Sequence, residues 1–374
     1  MRHLFVGLCL LFVASIAVAQ SNTVSFVAVL NGQNERPNVG DPDGTGYAFV
    51  RFDRRTNQVF YAITTANIAT PTVSHIHRGS ADTSGLVVID FRPVFRNGAA
   101  SGVVSADAAL INEILANPSN FYVNVHTSDF PGGAIRGQLV PAPSGGTDVV
   151  LPIAGRVPGV NNTLFRTDLT ILNLSGTAAP VALEYYPSGQ AGNNGPNPSF
   201  TFVVPNNEQL SLNDVISATL GITAGTGAIR VQSPNRIDVV GRVYNDLRPS
   251  NGGTLSQFIH GLNVDYNRTS GALPMLANQT GASGYRTNIG WFNNNSAPGT
   301  LTLRAHRSDG TVLATSTFDV NPFAQTQLNL SQIFPSLEPL DQMYVTYETT
   351  AVPIFVYASV VDNTTGDGVF IAGD

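Results

Sequence analysis

The sequence contains no lysine; all 19 of its basic residues are arginine. That absence excludes Schiff-base chemistry, a Walker-type phosphate lysine and lysine–asparagine isopeptide cross-links. Cysteine is almost as scarce. The single one, Cys9, lies in an apolar run near the N-terminus, so the chain beyond that run has no disulfide, no thiol nucleophile and no cysteine-ligated metal. Charged residues make up 12% of the chain against about 25% in an average globular protein. The formal net charge is −6 and no basic stripe interrupts it, which argues against nucleic acid and anionic membranes as partners. The motifs H-E-x-x-H, G-x-S-x-G and G-x-x-x-x-G-K are all missing. Nothing in the chain points to an enzyme.

What the chain does contain is Val, Thr, Asn, Phe and 36 glycines, a composition that suits strands and turns over long helices. Residues 1–19 read as a secretory signal peptide: Arg2 is the positive end, residues 4–16 are apolar, and Ala17-Val18-Ala19 fits the cleavage rule before Gln20. The apolar run is too short to span a bilayer. The expected location is therefore secreted or periplasmic, with no stable membrane insertion after cleavage.

Short alternating runs at 24–30, 46–52, 59–64, 73–77, 86–91, 121–126 and 134–140 predict a β-sandwich over residues 20–140. One short helix should interrupt it, with Ser105 as its cap, Leu110, Ile111, Ile114 and Leu115 on its buried face, and Asn117-Pro118 as its stop. The Pro- and Gly-rich stretch 141–147 predicts a linker. Beyond it the chain repeats itself. Leu151-Pro152 returns as Leu273-Pro274, Phe165-Arg166-Thr167-Asp168-Leu169 as Tyr285-Arg286-Thr287-Asn288-Ile289, and Gln209-Leu210-Ser211-Leu212 as Gln327-Leu328-Asn329-Leu330. Val243-Tyr244-Asn245-Asp246 and Phe258-Ile259-His260-Gly261 recur as Val360-Val361-Asp362-Asn363 and Phe370-Ile371-Ala372-Gly373. The offset falls steadily from 122 to 112 residues, as a duplication with shortened loops requires. The expected architecture is all-β: three consecutive immunoglobulin-like β-sandwich domains at 20–140, 148–262 and 270–374, with a second linker at 263–269. Arg166 and Arg286, equivalent in the two repeats, form either a ligand-binding pair or, more simply, structural groups that satisfy carbonyls or a carboxylate.

Three motifs mark the first domain. They are Asn34-Glu35-Arg36-Pro37, then Ser74-His75-Ile76-His77-Arg78-Gly79, and a closing run from Tyr122-Val123-Asn124-Val125-His126-Thr127 to Ile135-Arg136-Gly137-Gln138-Leu139. In this order they resemble the chordin-type (CHRD) domain family over residues 24–140. The resemblance implies a secreted β-sandwich module, found in animal antagonists of bone morphogenetic proteins and in many bacterial exported proteins. Glu35 and Arg136, from separate motifs and of opposite charge, are expected to form a salt bridge.

In a strand, i and i+2 share a face, so His75 and His77 point one way and Ile76 the other; His126 shares its face with Tyr122 and Asn124. Two readings stand. The imidazoles hydrogen-bond loops at the sandwich end, His126 to a carbonyl or to Asp129. Alternatively, His75, His77 and His126 converge as a three-histidine Zn or Cu site with an open position, Asn124 or Tyr122 behind it. The first-choice function is a non-enzymatic exported binding or surface-structural protein with an unidentified protein or cell-surface partner and no cofactor. A metal-binding or redox-active domain is the alternative.

Overall fold

The computed structural model describes residues 23–374 except 55, 56, 94, 96, 97, 143, 144, 159–163, 191–198, 249–251, 280, 282 and 296. The expected leader and Cys9 lie outside the described residues. The architecture is all-β, 60% strand and 9% helix, built of antiparallel sheets. No described helix is long and apolar enough to cross a membrane.

The first block contains β1 (Thr23–Asn31), β2 (Thr45–Asp53), β3 (Gln58–Ala66), β4 (Pro71–Arg78), β5 (Val87–Asp90), β6 (Ala99–Ser105), α1 (Ala108–Ala116), β7 (Phe121–Thr127), β8 (Ile135–Gln138) and β9 (Val140–Pro141). Its strands run in the order β5-β4-β7-β8-β1-β2-β3-β6, with β9 beside β1. One hydrogen-bonded path thus replaces the two separate sheets of a simple sandwich. Its two halves meet at the single β8–β1 pair, Arg136 opposite Asn31, and both supply one core of Phe26, Val50, Phe52, Ile76, Phe91, Val123 and their neighbours. Helix α1 buries Ile111 and Ile114, with Leu110 and Leu115 packed at the rim. Its cap is Asp107, not Ser105. The Asp107 carboxylate accepts from the Ala109 and Leu110 amides, while Ser105 is committed to β6, opposite Gln58.

The second block holds β10 (Thr147–Pro158), β11 (Leu164–Asn173), β12 (Ala179–Pro187), β13 (Ser199–Val204), β14 (Glu208–Leu212), β15 (Gly225–Ser233), β16 (Ile237–Asp246), β17 (Thr254–His260) and β18 (Leu262–Asn263). The third holds β19 (Ser270–Asn278), β20 (Tyr285–Phe292), β21 (Gly299–Arg307), β22 (Val312–Val320), β23 (Gln325–Asn329), β24 (Leu340–Thr350), β25 (Phe355–Asp362) and β26 (Gly368–Ala372). It also carries a second helix, α2 (Leu330–Ile333), which the sequence did not suggest; Asn329 and Gln332 close it with a reciprocal capping box. The strand orders β13-β12-β15-β10 and β14-β11-β16-β17 of the second block match β22-β21-β24-β19 and β23-β20-β25-β26 of the third. The stretch 263–269 contains a short turn, Val264–Tyr266, and Arg268, which bridges to Ile354.

The blocks are packed against one another. Phe60 from the first, Tyr186 from the second, and Phe292, Phe323 and Phe355 from the third share one apolar cluster. Beside it Asp148 binds Arg51 of the first block and takes two bonds of 2.7 Å from Arg230. Phe60 lies under both guanidinium groups.

Candidate metal centre

Strands β4 and β7 lie side by side, with His75 opposite Asn124, His77 opposite Tyr122 and Val73 opposite His126. Ile76, Val123 and Val125 are fully buried in the core, which forces the three histidines onto the other face. The ring centroids stand 5.1 Å (His75–His126), 5.5 Å (His75–His77) and 5.9 Å (His77–His126) apart. Each imidazole offers one nitrogen to a cluster whose members all lie within 4.8 Å of one another. Three points so placed share a centre no more than about 2.8 Å from each, against 2.0–2.1 Å in a formed Zn–N bond. The sequence placed these three residues on a common polar face, and the fold brings them together.

Backbone carbonyls set the tautomers. His77 Nδ1 donates to the Gly85 carbonyl at 2.9 Å and His126 Nδ1 to the Pro131 carbonyl at 3.0 Å; a carbonyl can only accept, so in both neutral rings Nε2 carries the lone pair. The loop-holding role and the convergent role thus use different nitrogens of the same ring. His77 Nε2 is buried and has no hydrogen-bond partner among the described residues, and His126 Nε2 faces His75 Nδ1 at 3.3 Å. His75 Nδ1 therefore donates to His126 in the metal-free protein. Its other nitrogen, Nε2, points at Asp90 of the edge strand β5, 3.9 Å away. Moving the His75 proton to Nε2, toward Asp90, would free the Nδ1 lone pair to face the same centre as the other two nitrogens.

Burial pushes all three imidazoles below the ordinary histidine range, His77 to about 4; for His75 the neighbouring His126 adds to the effect. Neutral imidazole is the form that ligates metal. His77 stacks on Tyr122 with ring centroids 4.9 Å apart, and the Arg136 guanidinium lies over Tyr122 at 3.4 Å. Behind the histidines Asn124 Nδ2 donates to Glu35 Oε2 at 3.3 Å, and Asn124 Oδ1 is buried without a partner. The expected Glu35–Arg136 salt bridge does not form. Arg136 instead donates to the Ser80 carbonyl (2.6 Å) and to Gln138 Oε1 (3.0 Å), so the two charges share a buried patch without contact.

Residues 26–139 match the family model of the CHRD domain. All three histidines, Asp90, Glu35 and Arg136 fall inside the CHRD segment, which covers less than a third of the chain. No curated protein matches the chain. Among solved structures, "Thermotoga maritima 1070" aligns at 11% identity and a TM-score of 0.24, covering 29% of this chain and 95% of its own. Sequence reasoning missed Asp90, Gly85 and Pro131 as partners of the CHRD histidines. Asp90 could have been found only by pairing β5 with β4, a pairing that a bulge between Ile76 and His77 shifts by one residue.

Proposed function

We propose that this is an exported, non-enzymatic binding protein whose CHRD domain holds one Zn(II) or Cu(II) ion on His75, His77 and His126. The convergence of three neutral imidazole nitrogens, two of them fixed in tautomer by backbone carbonyls, carries the reading. Imidazole-only ligation suits zinc and copper over calcium or magnesium, which want oxygen. The second and third blocks are proposed to be duplicated β-sandwich domains that serve as a scaffold. Their matching strand orders support this, as does the start of all five repeated segments on equivalent strands. They offer one histidine each, His260 and His306, on non-equivalent strands, so the metal would bind to the CHRD domain alone.

Elemental analysis and calorimetry with ZnCl2 and CuCl2 on the chain lacking residues 1–19 test the proposal. One ion per chain is expected, with binding lost in a His75→Ala, His77→Ala double variant. Asp90→Asn should bind about 10-fold more weakly, because a neutral amide draws the His75 proton to Nε2 less strongly than a carboxylate does. Equal uptake by the double variant and the wild type, or no uptake by either, would overturn it.

A further inference from the structure

The second and third blocks enclose a cavity remote from the histidines. One wall is the outer face of β20, β23 and β25, and the other comes from β10, β11, β16 and β17. It holds about 110 Å³, less than the roughly 300–1,000 Å³ of a drug-sized site and closer to the roughly 150 Å³ of a cavity that takes a single benzene ring, so only a small ligand suits it. Both repeats build it, so neither contains it alone.

Its polar lining comprises Arg286, the amides of Gln257, Gln327 and Asn288, and the hydroxyls of Thr226, Ser256 and Ser359. The Tyr357 hydroxyl accepts from Gln325 Nε2 at 2.7 Å and donates to Gln327 Oε1 at 3.0 Å. Ser359 Oγ donates to Gln257 Oε1 at 2.9 Å. Gln327 and Gln257 thus have their carbonyl oxygens engaged, and their NH2 groups lack partners among the described residues. Arg286 also lines the cavity. Its Nη1 donates to Asn363 Oδ1 at 3.0 Å, and no described carboxylate makes an ion pair with it. Burial pushes its guanidinium pKa down, and the Asp362 carboxylate of the same block opposes that shift from beyond ion-pair distance. Sequence position favoured a structural arginine, but packing between the blocks turns Arg286 into the cavity. Phe165, Val243 and Val361 supply an apolar wall.

We propose that this cavity binds a small monocarboxylate with an apolar body. The carboxylate lies against Arg286 and the amides of Gln257 and Gln327, and the hydrocarbon lies against Phe165, Val243 and Val361. The unpartnered NH2 groups of Gln257 and Gln327 beside the Arg286 guanidinium call for an acceptor, and a guanidinium matches a carboxylate two bonds at a time. One cation beside an apolar wall suits a single negative charge; phosphate would bring a second charge with no second cation to meet it. This site is independent of the metal reading.

Calorimetry on the chain lacking residues 1–19 tests it, with benzoate and 4-methylpentanoate as probes and benzyl alcohol and inorganic phosphate as controls. Each carboxylate should bind once per chain, at least about tenfold more tightly than either control. Arg286→Gln should weaken benzoate at least about tenfold. Gln327→Glu should do the same, since its carboxylate still accepts from Tyr357 but repels the ligand; it decides the matter where Arg286→Gln fails to fold. Equal affinity for benzoate and benzyl alcohol would overturn the proposal, as would tighter binding of phosphate. So would unchanged benzoate affinity in a folded variant, or no heat from either carboxylate at about 10 mM.

Discussion

Replacing Glu35 with glutamine tests how the polar patch behind the histidines tolerates a carboxylate. Glu35 is 3% exposed and packs on Gly133, where φ is +138° and an added Cβ would stand 2.5 Å from Glu35 Oε2. Only glycine fits that backbone and that contact. One carboxylate oxygen accepts from Asn124 and the other is buried without a partner. Burial, opposed by the pull of Arg136, raises the Glu35 pKa from 4.5 to about 7. A folded pKa above the unfolded one means that the contribution to stability is complete below about 4.5 and is lost as pH rises through about 7. At 1.36 kcal/mol per pH unit that gap amounts to about 3 kcal/mol. Glutamine keeps the shape and does not titrate. Wild-type stability should therefore fall relative to Glu35→Gln by about 3 kcal/mol between about pH 4 and pH 8.5. Amide exchange in β7, corrected for intrinsic rates, reads this directly; the single tryptophan, Trp291, lies in the third block and would report another unit. Parallel stability curves for the two proteins would show that Glu35 has the same pKa folded and unfolded, and the reasoning from burial would be wrong.

Two further outcomes follow from buried groups elsewhere. Glu184 is 1% exposed beside Asp148 and Arg51, accepts from the Tyr186 hydroxyl at 2.7 Å, and has its pKa raised to about 7 by burial. Heat unfolding of the wild type should thus lose up to about 3 kcal/mol of stability as pH rises from about 4.5 through 7, a loss smaller by that amount in Glu184→Gln; equal slopes would refute it. In β8, a Cβ on Gly137 would meet the Val29 carbonyl oxygen at 2.3 Å, a backbone atom that cannot swing aside. Gly137→Ala should cost about 1–3 kcal/mol in urea unfolding, and an unchanged midpoint would show that β1 and β8 do not approach so closely.

The parts of this protein that were legible in its sequence are those that a strand's two-residue period encodes. Alternation places Ile76 inward and His75 and His77 outward, and it does the same around Val123 and Val125. Strand β6 escaped because Ala99-Ala100-Ser101-Gly102 has no large residue to mark a face. Period fixes the face of a residue but not its neighbour. That β4 lies beside β7, more than forty residues away in the chain, is a matter of pairing, and only pairing turns an H-x-H and a distant histidine into one cluster. The same gap explains Glu35 and Arg136: opposite charges in separate motifs suggested an ion pair, yet the register that sets Arg136 opposite Asn124 hands its guanidinium to Tyr122 and Ser80. It explains Arg286 as well: its own block supplies Asn363, but the cavity it lines is completed by strands of another block. The groups that set the histidine tautomers left no mark at all. They are the carbonyls of Gly85 and Pro131, and because every residue carries a carbonyl, no choice of side chain announces them. A histidine cluster whose members are chosen by residue type but whose protonation is chosen by backbone is half visible in sequence by its nature, and the visible half is the one on which the metal proposal rests.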